Sequence, residues 1–195
     1  HRHEPGLEDA HADAAPRLAQ LAHTTLLIDP KRVAWGMRQQ VNTSVKVIEA
    51  INPSTLAKSR KNAEEIAQIR LTMEHDGAAL AEFLCWLDEA LENKDEPITE
   101  LTIDERLSKC RAQQPGFVSL SFPTIAGFNA NGAMPHYRAT RASHAVIEGD
   151  GLLLIDSGGQ YVTGTTDITR VVGVGQPSSE QKRDFTVVLK GMIAL

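Results

Sequence analysis

Two aspartates in the C-terminal part of the chain, Asp156 and Asp167, are the residues whose type and spacing could carry out chemistry. Asp156 ends the apolar run Leu152–Ile155 and is followed by a serine and two glycines, which is typical of a strand that enters a turn. Residues 164–172 alternate as a second strand, in which Asp167 and Thr169 share one face. A β-hairpin of these two strands brings both carboxylates close together.

Two adjacent carboxylates raise each other's pKa unless a cation lies between them. Oxygen ligands suit Mn²⁺, Mg²⁺ or Ca²⁺, and bridging carboxylates can hold two ions about 3.5 to 4 Å apart, the spacing that activates a water molecule. The spacing also permits a simpler interpretation, in which Asp156 caps a glycine turn and Asp167 pairs with Arg170 or faces solvent. Spacing alone favours the simpler interpretation.

The composition indicates a globular chain with no nucleic-acid or membrane partner. Of its 195 residues, 42% are hydrophobic and 23% are charged, values that are ordinary for a packed domain. The net charge of −5 and the lack of a basic cluster argue against nucleic-acid binding, and no apolar run approaches the length of a bilayer span. Two cysteines without regular spacing favour a reducing cytoplasm, and Cys85, within an apolar run, is predicted to be buried.

The pattern of apolar residues predicts helices first and strands later, and therefore an α+β fold with helices on one face of a largely antiparallel sheet. A loop and a short helix are expected within residues 1–20. Helices are predicted from Asn62 to about Leu91, from Thr102 with Glu105 as its cap partner to about Gln114, and from Ser178 with Gln181 onward as a buried helix. Strands are predicted at 26–28, 45–48, 117–122, 145–147 and 152–155, the last as a central strand.

The segments Leu153–Tyr161 and Gly164–Arg170 resemble the first metal-ligand motif of the pita-bread metallopeptidases. Upstream, Gly127–Tyr137 resembles a segment of the longer aminopeptidase P enzymes, which are Xaa-Pro aminopeptidases, and Phe185–Gly191 fits the same family. The resemblance extends from Phe117 to the last residue and, less closely, over residues 26–91.

The resemblance implies that residues 59–195 form the N-terminal half of a pita-bread (creatinase/aminopeptidase-like) catalytic domain. Residues 1–58 would then be the end of a smaller α/β domain and a linker. It assigns Asp156 and Asp167 as metal ligands and His136 as a catalytic residue that contacts the substrate. The implied cofactors are two divalent ions, Mn²⁺ in the first place, with Zn²⁺ or Co²⁺ as alternatives.

The implied activity is hydrolysis of the N-terminal Xaa-Pro bond of peptides by a metal-bound hydroxide. The family's remaining ligands, one His and two Glu, have no match in this chain, so the chain is expected to be truncated and inactive by itself. The resemblance also implies a cytoplasmic homodimer that binds peptides with proline at the second position.

Four alternatives remain at this stage. The first is a prolidase-like dipeptidase. The second is a creatinase-like amidinohydrolase without metal, which Asp156 and Asp167 argue against. The third is a non-catalytic pita-bread module that binds peptides or histones, which is disfavoured because both aspartates and His136 are retained. The fourth is a structural domain that shares only the fold.

Overall fold

The computed structural model describes residues 13–93 and 96–195, so the predicted opening loop lies mostly outside the described residues. The chain divides into two compact units, residues 1–62 and 63–195. The division at residues 58 and 59 that the resemblance implies stays a prediction. Within the described ranges, no helix has the length and apolar character that a membrane span requires.

The first unit is a small α/β arrangement around two parallel strands. The elements are α1 (Ala14–Gln20), β1 (Thr25–Ile28), α2 (Trp35–Gln39), β2 (Lys46–Glu49) and α3 (Pro53–Ser59). Both predicted strands and the predicted short helix are confirmed. The buried residues Ile28, Val41 and Val45 form the centre of its core.

In residues 63–93 and 96–195, the second unit has three α-helices and six strands. The helices are α4 (Ala63–Asn93), α5 (Glu100–Ala112) and α6 (Ser179–Ala194). The strands are β3 (Phe117–Leu120), β4 (Ile125–Phe128), β5 (Gly151–Ser157), β6 (Gly159–Tyr161), β7 (Gly164–Thr165) and β8 (Ile168–Val174). A short 3₁₀ helix at Asn129–Ala133 follows β4.

The predicted start of α5 is wrong by one turn. The Thr99 hydroxyl accepts a hydrogen bond from the Thr102 amide, and the Thr102 side chain accepts one from the Thr99 amide, so Thr99 caps a helix that begins at Glu100. The Ser178–Gln181 capping box predicted for α6 is confirmed. None of the α6 residues is buried in this chain.

Two three-stranded antiparallel sheets, β4-β5-β8 and β3-β6-β7, share one long β-hairpin. Ser157 pairs with Ile168 in the first sheet and Gln160 pairs with Thr165 in the second, so the register continues unchanged from one sheet into the other. The hairpin turns at residues 162–163. Between the two sheets, Gly158 on one arm and residues 166–167 on the other belong to no strand. The second strand predicted from sequence is therefore divided into two strands, the two-residue β7 and the seven-residue β8.

The core lies between helices α4 and α5 and one face of the sheet that contains β5. Burial alternates along β5, which contributes Leu153 and Ile155 to the core, as expected for a central strand with one covered face. Phe83 and Leu87 of α4 and Leu107 of α5 are fully buried in the same cluster. The predicted packing of helices on one face of an antiparallel sheet is confirmed.

Two local predictions in this unit are wrong. The predicted strand at 145–147 reduces to a single bridge between Val146 and Thr99, because this segment lies against the start of α5 rather than along a sheet. Cys85, which was expected to be buried, is exposed, whereas Cys110 on α5 is buried.

Candidate metal centre on the shared hairpin

Asp156 is the last carboxylate of β5 and lies on the face of the sheet opposite the core. Its neighbours Ile155 and Ser157 are buried, while Asp156 itself is half-buried. Thr169, its register partner on β8, donates a hydrogen bond from Oγ1 to Asp156 Oδ1 at 2.9 Å. The cross-strand hydroxyl therefore orients one oxygen of this carboxylate and leaves the other without a protein donor among the described residues.

Asp167 lies at the break between β7 and β8 and is exposed. The continuous register puts it opposite Gly158, two residues from Asp156 along the other arm. Within the described ranges, Asp167 makes no ion pair, and Arg170 instead donates to the Thr169 carbonyl oxygen at 2.8 Å. The pairing of Asp167 with Arg170 that spacing permitted is therefore not formed.

The 3₁₀ helix that precedes His136 lies against the same face of the sheet as Asp156. This helix brings Gly132 against Leu154, which shares that face, and against the Gly127 carbonyl oxygen. His136 is exposed and has a φ of 56°, in the left-handed region that few non-glycine residues adopt. Such a conformation persists only when the surrounding structure holds it.

The residue after His136 is held by a buried carboxylate, that of Glu100. The Tyr137 hydroxyl donates to Glu100 Oε2 at 2.7 Å, and the amides of Phe128 and Ala145 each donate to the same carboxylate at 2.8 Å. Asn131 Nδ2 donates to it as well, at 3.0 Å to Oε1. One side chain at the first turn of α5 therefore fixes β4, the 3₁₀ helix and the His136 loop together.

Burial and hydrogen bonding shift the pKa of Glu100 in opposite directions. Burial raises the pKa of its carboxyl, but the hydrogen bonds from the backbone amides of Phe128 and Ala145 and from the side chains of Asn131 and Tyr137 outweigh burial, so the pKa lies below its ordinary value. Burial and the same carboxylate raise the pKa of Tyr137 to about 12. The pair is therefore a carboxylate and a neutral phenol at neutral pH.

A second buried network joins both long helices to the distal half of the hairpin. Arg111 of α5 donates to Asp76 of α4 through Nε at 2.7 Å and Nη2 at 3.1 Å, and both side chains are fully buried. The Tyr161 hydroxyl donates to Asp76 Oδ1 at 2.8 Å. Burial raises the pKa of Asp76, but Arg111 and the hydrogen bonds from Tyr161 and Thr166 outweigh it and hold that pKa below its usual range.

Sequence reasoning missed Asp76, Arg111, Glu100 and their tyrosine partners. Asp76 and Arg111 are 35 positions apart on two helices whose polar residues read as solvent-facing. Glu100 did carry a weak signal, because an acidic residue in the first turn of a helix interacts favourably with the helix dipole. Nothing in the sequence indicates that this carboxylate also receives bonds from β4 and from the His136 loop.

The chain belongs to metallopeptidase family M24, whose family model matches residues 67–195. A relative from Sordaria macrospora, a probable Xaa-Pro aminopeptidase P, is 36% identical over 184 residues, which cover 94% of this chain and 30% of that protein. A probable Xaa-Pro aminopeptidase P from Aspergillus clavatus is 38% identical over 164 residues. The chain therefore spans less than a third of the length of these relatives.

Among solved structures, an X-prolyl aminopeptidase from Caenorhabditis elegans, described as a cytosolic enzyme with a di-nuclear active site, superposes with a TM-score of 0.75 and 26% identity. The match covers 87% of this chain and 29% of that one. The N-terminal domain of the FACT complex subunit SPT16 from chickpea superposes with a TM-score of 0.67 at 16% identity, which shows the fold alone. The predicted fold class, α+β as the first half of a pita-bread domain, is confirmed.

The residues of this chain fit part of a site for divalent cations. Asp156 offers one carboxylate oxygen that no protein group occupies within the described ranges, and Asp167 is exposed without a basic partner there. Both supply the oxygen donors that hard divalent cations prefer. The described residues bring together no group of three or more His, Cys, Asp or Glu side chains that could hold an ion. The chain thus contributes two candidate ligands, and a complete site requires others.

Proposed function

We propose that the whole protein is an Xaa-Pro aminopeptidase, which hydrolyses the bond between the first residue of a peptide and a proline at the second position. The family assignment supports peptidase chemistry, and relatives that cover most of this chain are Xaa-Pro aminopeptidases by description. The single observation that carries the proposal from the structure is the hairpin, whose one register relates Asp156 to Asp167 on the face away from the core.

In this proposal Asp156 and Asp167 are ligands of two divalent ions, with one His and two Glu supplied from outside this chain. Such a pair of ions, if held by Asp156 and Asp167 together with those further ligands, would supply Lewis-acid chemistry for peptide hydrolysis. The role of the hairpin is to hold the two carboxylates at a constant separation. Thr169 contributes by directing one oxygen of Asp156 toward itself, so that the other is available to a cation.

His136 is proposed to contact the peptide. His136 is exposed, and the 3₁₀ helix at the start of its loop lies against the face of the sheet that carries Asp156. At that position the imidazole can donate a hydrogen bond to a peptide carbonyl oxygen or to the oxyanion that forms there. The buried bonds of Tyr137 keep the neighbouring backbone in place, which limits the motion of the imidazole.

The finer attributes of the protein are proposed on the same basis. Mn²⁺ is the proposed physiological metal, because a carboxylate-rich site suits a hard cation. The cytoplasm is the proposed location and a homodimer the proposed state, both by analogy with the family. The net charge of −5 supports a peptide rather than a nucleic-acid partner.

The test combines metal analysis with a comparison of substrates in the whole protein. The expected result is stoichiometric divalent metal and metal-dependent cleavage of a tripeptide with proline in the middle. An Asp167→Asn variant should lose both, while Asp184→Asn, a change of an exposed aspartate on α6, should lose neither. Equal metal content and full activity in Asp167→Asn would remove Asp167 from the site.

The same assay separates the dipeptidase alternative. An aminopeptidase cleaves the Xaa-Pro-Xaa tripeptide, whereas a prolidase-like enzyme cleaves only the Xaa-Pro dipeptide. Cleavage restricted to the dipeptide would replace the present assignment by the prolidase one. Absence of any peptidase activity from a protein that binds no metal would favour a non-catalytic binding module.

A further inference from the structure

The part of the hairpin next to the two proposed ligands is called the neck. It consists of Gly158–Gly159 on one arm and Thr166–Asp167 on the other. At the neck the shared hairpin passes from one sheet to the next. Gly158 on one arm and Thr166 and Asp167 on the other belong to no strand. Asp167 belongs to the neck and Asp156 lies two residues before it. The geometry of the neck therefore sets the relation between the two carboxylates.

Two hydrogen bonds between Gly159 and Thr166 join the two arms at the neck, and one of them uses the Thr166 side chain. The Thr166 amide donates to the Gly159 carbonyl oxygen at 2.9 Å, as a regular strand pair would. In the other direction the Gly159 amide donates to Thr166 Oγ1 at 2.8 Å rather than to a backbone carbonyl. A side-chain hydroxyl thus replaces one rung of the ladder, and Thr166 is 1% exposed.

Ser121 holds the neck from the side of β3. Its amide donates to the Gly158 carbonyl oxygen at 3.1 Å, and its hydroxyl donates to the Thr166 carbonyl oxygen at 2.9 Å. A Cβ atom at Gly158 would overlap both the Thr166 carbonyl oxygen and the Ser121 hydroxyl, so only glycine permits this approach. The two arms are consequently held closer together than side chains at this position would allow.

The buried Asp76 network supports the neck from the helical side. Asp76 receives Arg111, and it also receives the Tyr161 hydroxyl from the distal hairpin. A Cβ atom built on Gly159 would lie 3.3 Å from Asp76 Oδ1, so this carboxylate directly abuts the neck. Helices α4 and α5, which contribute buried residues to the core, are thereby connected to the segment that separates Asp156 from Asp167.

We propose that Thr166 and the Asp76–Arg111–Tyr161 network are positioning elements that fix the separation of the Asp156 and Asp167 carboxylates, and with it the affinity of the metal pair. This inference rests on the proposed function, because it concerns the ligands assigned there. The network touches neither substrate nor metal in this proposal. It acts only through the backbone of the neck.

The chain offers a matched control at the other end of the same hairpin. Thr72 of α4 is also 1% exposed, and its hydroxyl shares a 2.7 Å hydrogen bond with the hydroxyl of Thr163 in the hairpin turn. Thr72→Val and Thr166→Val therefore each remove one hydroxyl group from a buried residue that contacts the hairpin or belongs to it. Only Thr166→Val acts at the neck.

The test measures Mn²⁺ affinity of the metal-free whole protein by calorimetry, with amide hydrogen exchange at Gly159 as a second readout. Thr166→Val should accelerate exchange of the Gly159 amide and weaken Mn²⁺ binding, each by about tenfold. Tyr161→Phe should shift both in the same direction, and Thr166→Ser, which keeps the hydroxyl, should restore both. Thr72→Val should change neither.

Three outcomes would overturn the inference. Faster exchange at Gly159 with unchanged Mn²⁺ affinity would show that the neck is structural only. Equal weakening by Thr72→Val and Thr166→Val would show that the neck has no special role. Absence of Mn²⁺ binding by the unaltered protein would remove the proposed function and this inference with it, a result that the exchange measurement distinguishes from the first two.

Discussion

Thr169 Oγ1 lies 2.9 Å from Asp156 Oδ1, across a register pair of β5 and β8 on the face of the sheet away from the core. Among the described residues, this is the one side-chain hydrogen bond to either proposed ligand. It commits one oxygen of the carboxylate to the protein. It therefore determines which oxygen remains for a cation.

Replacement of Thr169 by valine should weaken metal binding without unfolding the protein. Valine keeps the β-branched shape that suits a strand but removes the donor, and the loss of an outer hydrogen bond to a ligand typically lowers metal affinity by about 10- to 100-fold. The measurement is the Mn²⁺ dissociation constant of the whole protein. Thr165→Val is the control, because that exposed hydroxyl donates to Gln160 and not to either proposed ligand. Unchanged affinity in Thr169→Val would contradict the proposed orientation of Asp156.

Glu100→Gln should loosen the loop that carries His136. Glutamine places an amide group toward donors that now meet a carboxylate, so at least one buried amide loses its acceptor, at a cost of about 1–3 kcal/mol in unfolding free energy. We expect this destabilisation together with a change in the His136 imidazole resonances in NMR spectra. Glu105→Gln, an exposed site on the same helix, should alter neither. Unchanged His136 resonances would show that Glu100 does not anchor the loop.

Removal of one partner from the buried Asp76–Arg111 pair should be strongly destabilising. Asp76→Asn leaves the Arg111 guanidinium buried without a countercharge, which costs about 3–5 kcal/mol. The double change Asp76→Leu with Arg111→Met should recover much of this loss, since well-packed apolar side chains can replace a buried pair. Urea denaturation measures both. As a comparison, disruption of the exposed Arg183–Glu180 contact by Glu180→Gln should change the unfolding free energy by less than about 0.5 kcal/mol.

The stability of this fold should decline in acid, because the folded-state pKa values of Asp76 and Glu100 are both lowered. A lowered folded pKa means that the unfolded chain binds more protons in the acid range, so the unfolding free energy rises with pH there. The contribution is fully present above the unfolded pKa values, 3.8 and 4.5, and is lost as pH falls through the lowered folded values. Denaturation midpoints should therefore be flat above about pH 5.5 and fall below it. A Glu100→Gln variant should show a shallower decline, and an equally steep one would contradict the assignment.

Two glycine substitutions should have effects of opposite sign. Gly158→Ala introduces a methyl group against the Thr166 carbonyl oxygen at the neck and should destabilise by about 1–3 kcal/mol. Gly77→Ala on α4 meets no atom within 4 Å and should stabilise by about 0.5–1 kcal/mol, because alanine favours the helix. Thermal unfolding of both variants provides the comparison. An unchanged thermal stability of Gly158→Ala would mean that the arms are far enough apart at Gly158 to accept a methyl group.

The sequence predicts those parts of the structure that follow from local periodicity. Helix α4, the central strand β5 and the Ser178 cap of α6 each depend on residues within a few positions of one another. Strand β4 was missed because its run of four residues contains a glycine and precedes polar residues. The strand expected at 145–147 failed because the start of α5 binds that segment, a contact between distant parts of the chain.

The candidate site was only partly predictable for the same reason. The two aspartates follow from strand alternation, and their assignment as ligands follows from resemblance to a family. The buried carboxylates of Asp76 and Glu100 depend on contacts over 35 and 37 positions, to Arg111 and Tyr137. No pattern in a single sequence distinguishes such a carboxylate from one that faces solvent.

The turn of the shared hairpin offers an insertion point for a reporter. Val162 is 81% exposed at the tip, and the pairing of the two arms continues from Tyr161 and Gly164 back to Gly151 and Val174. A short tag or fluorescent peptide placed after Val162 would lengthen the connection next to the hydrogen bond between Thr163 and Thr72. A single residue added within either arm between Asp156 and Asp167 would instead turn one carboxylate to the opposite side of the hairpin. We therefore expect insertions at the tip to preserve the relation of the two carboxylates and insertions within the arms to abolish it.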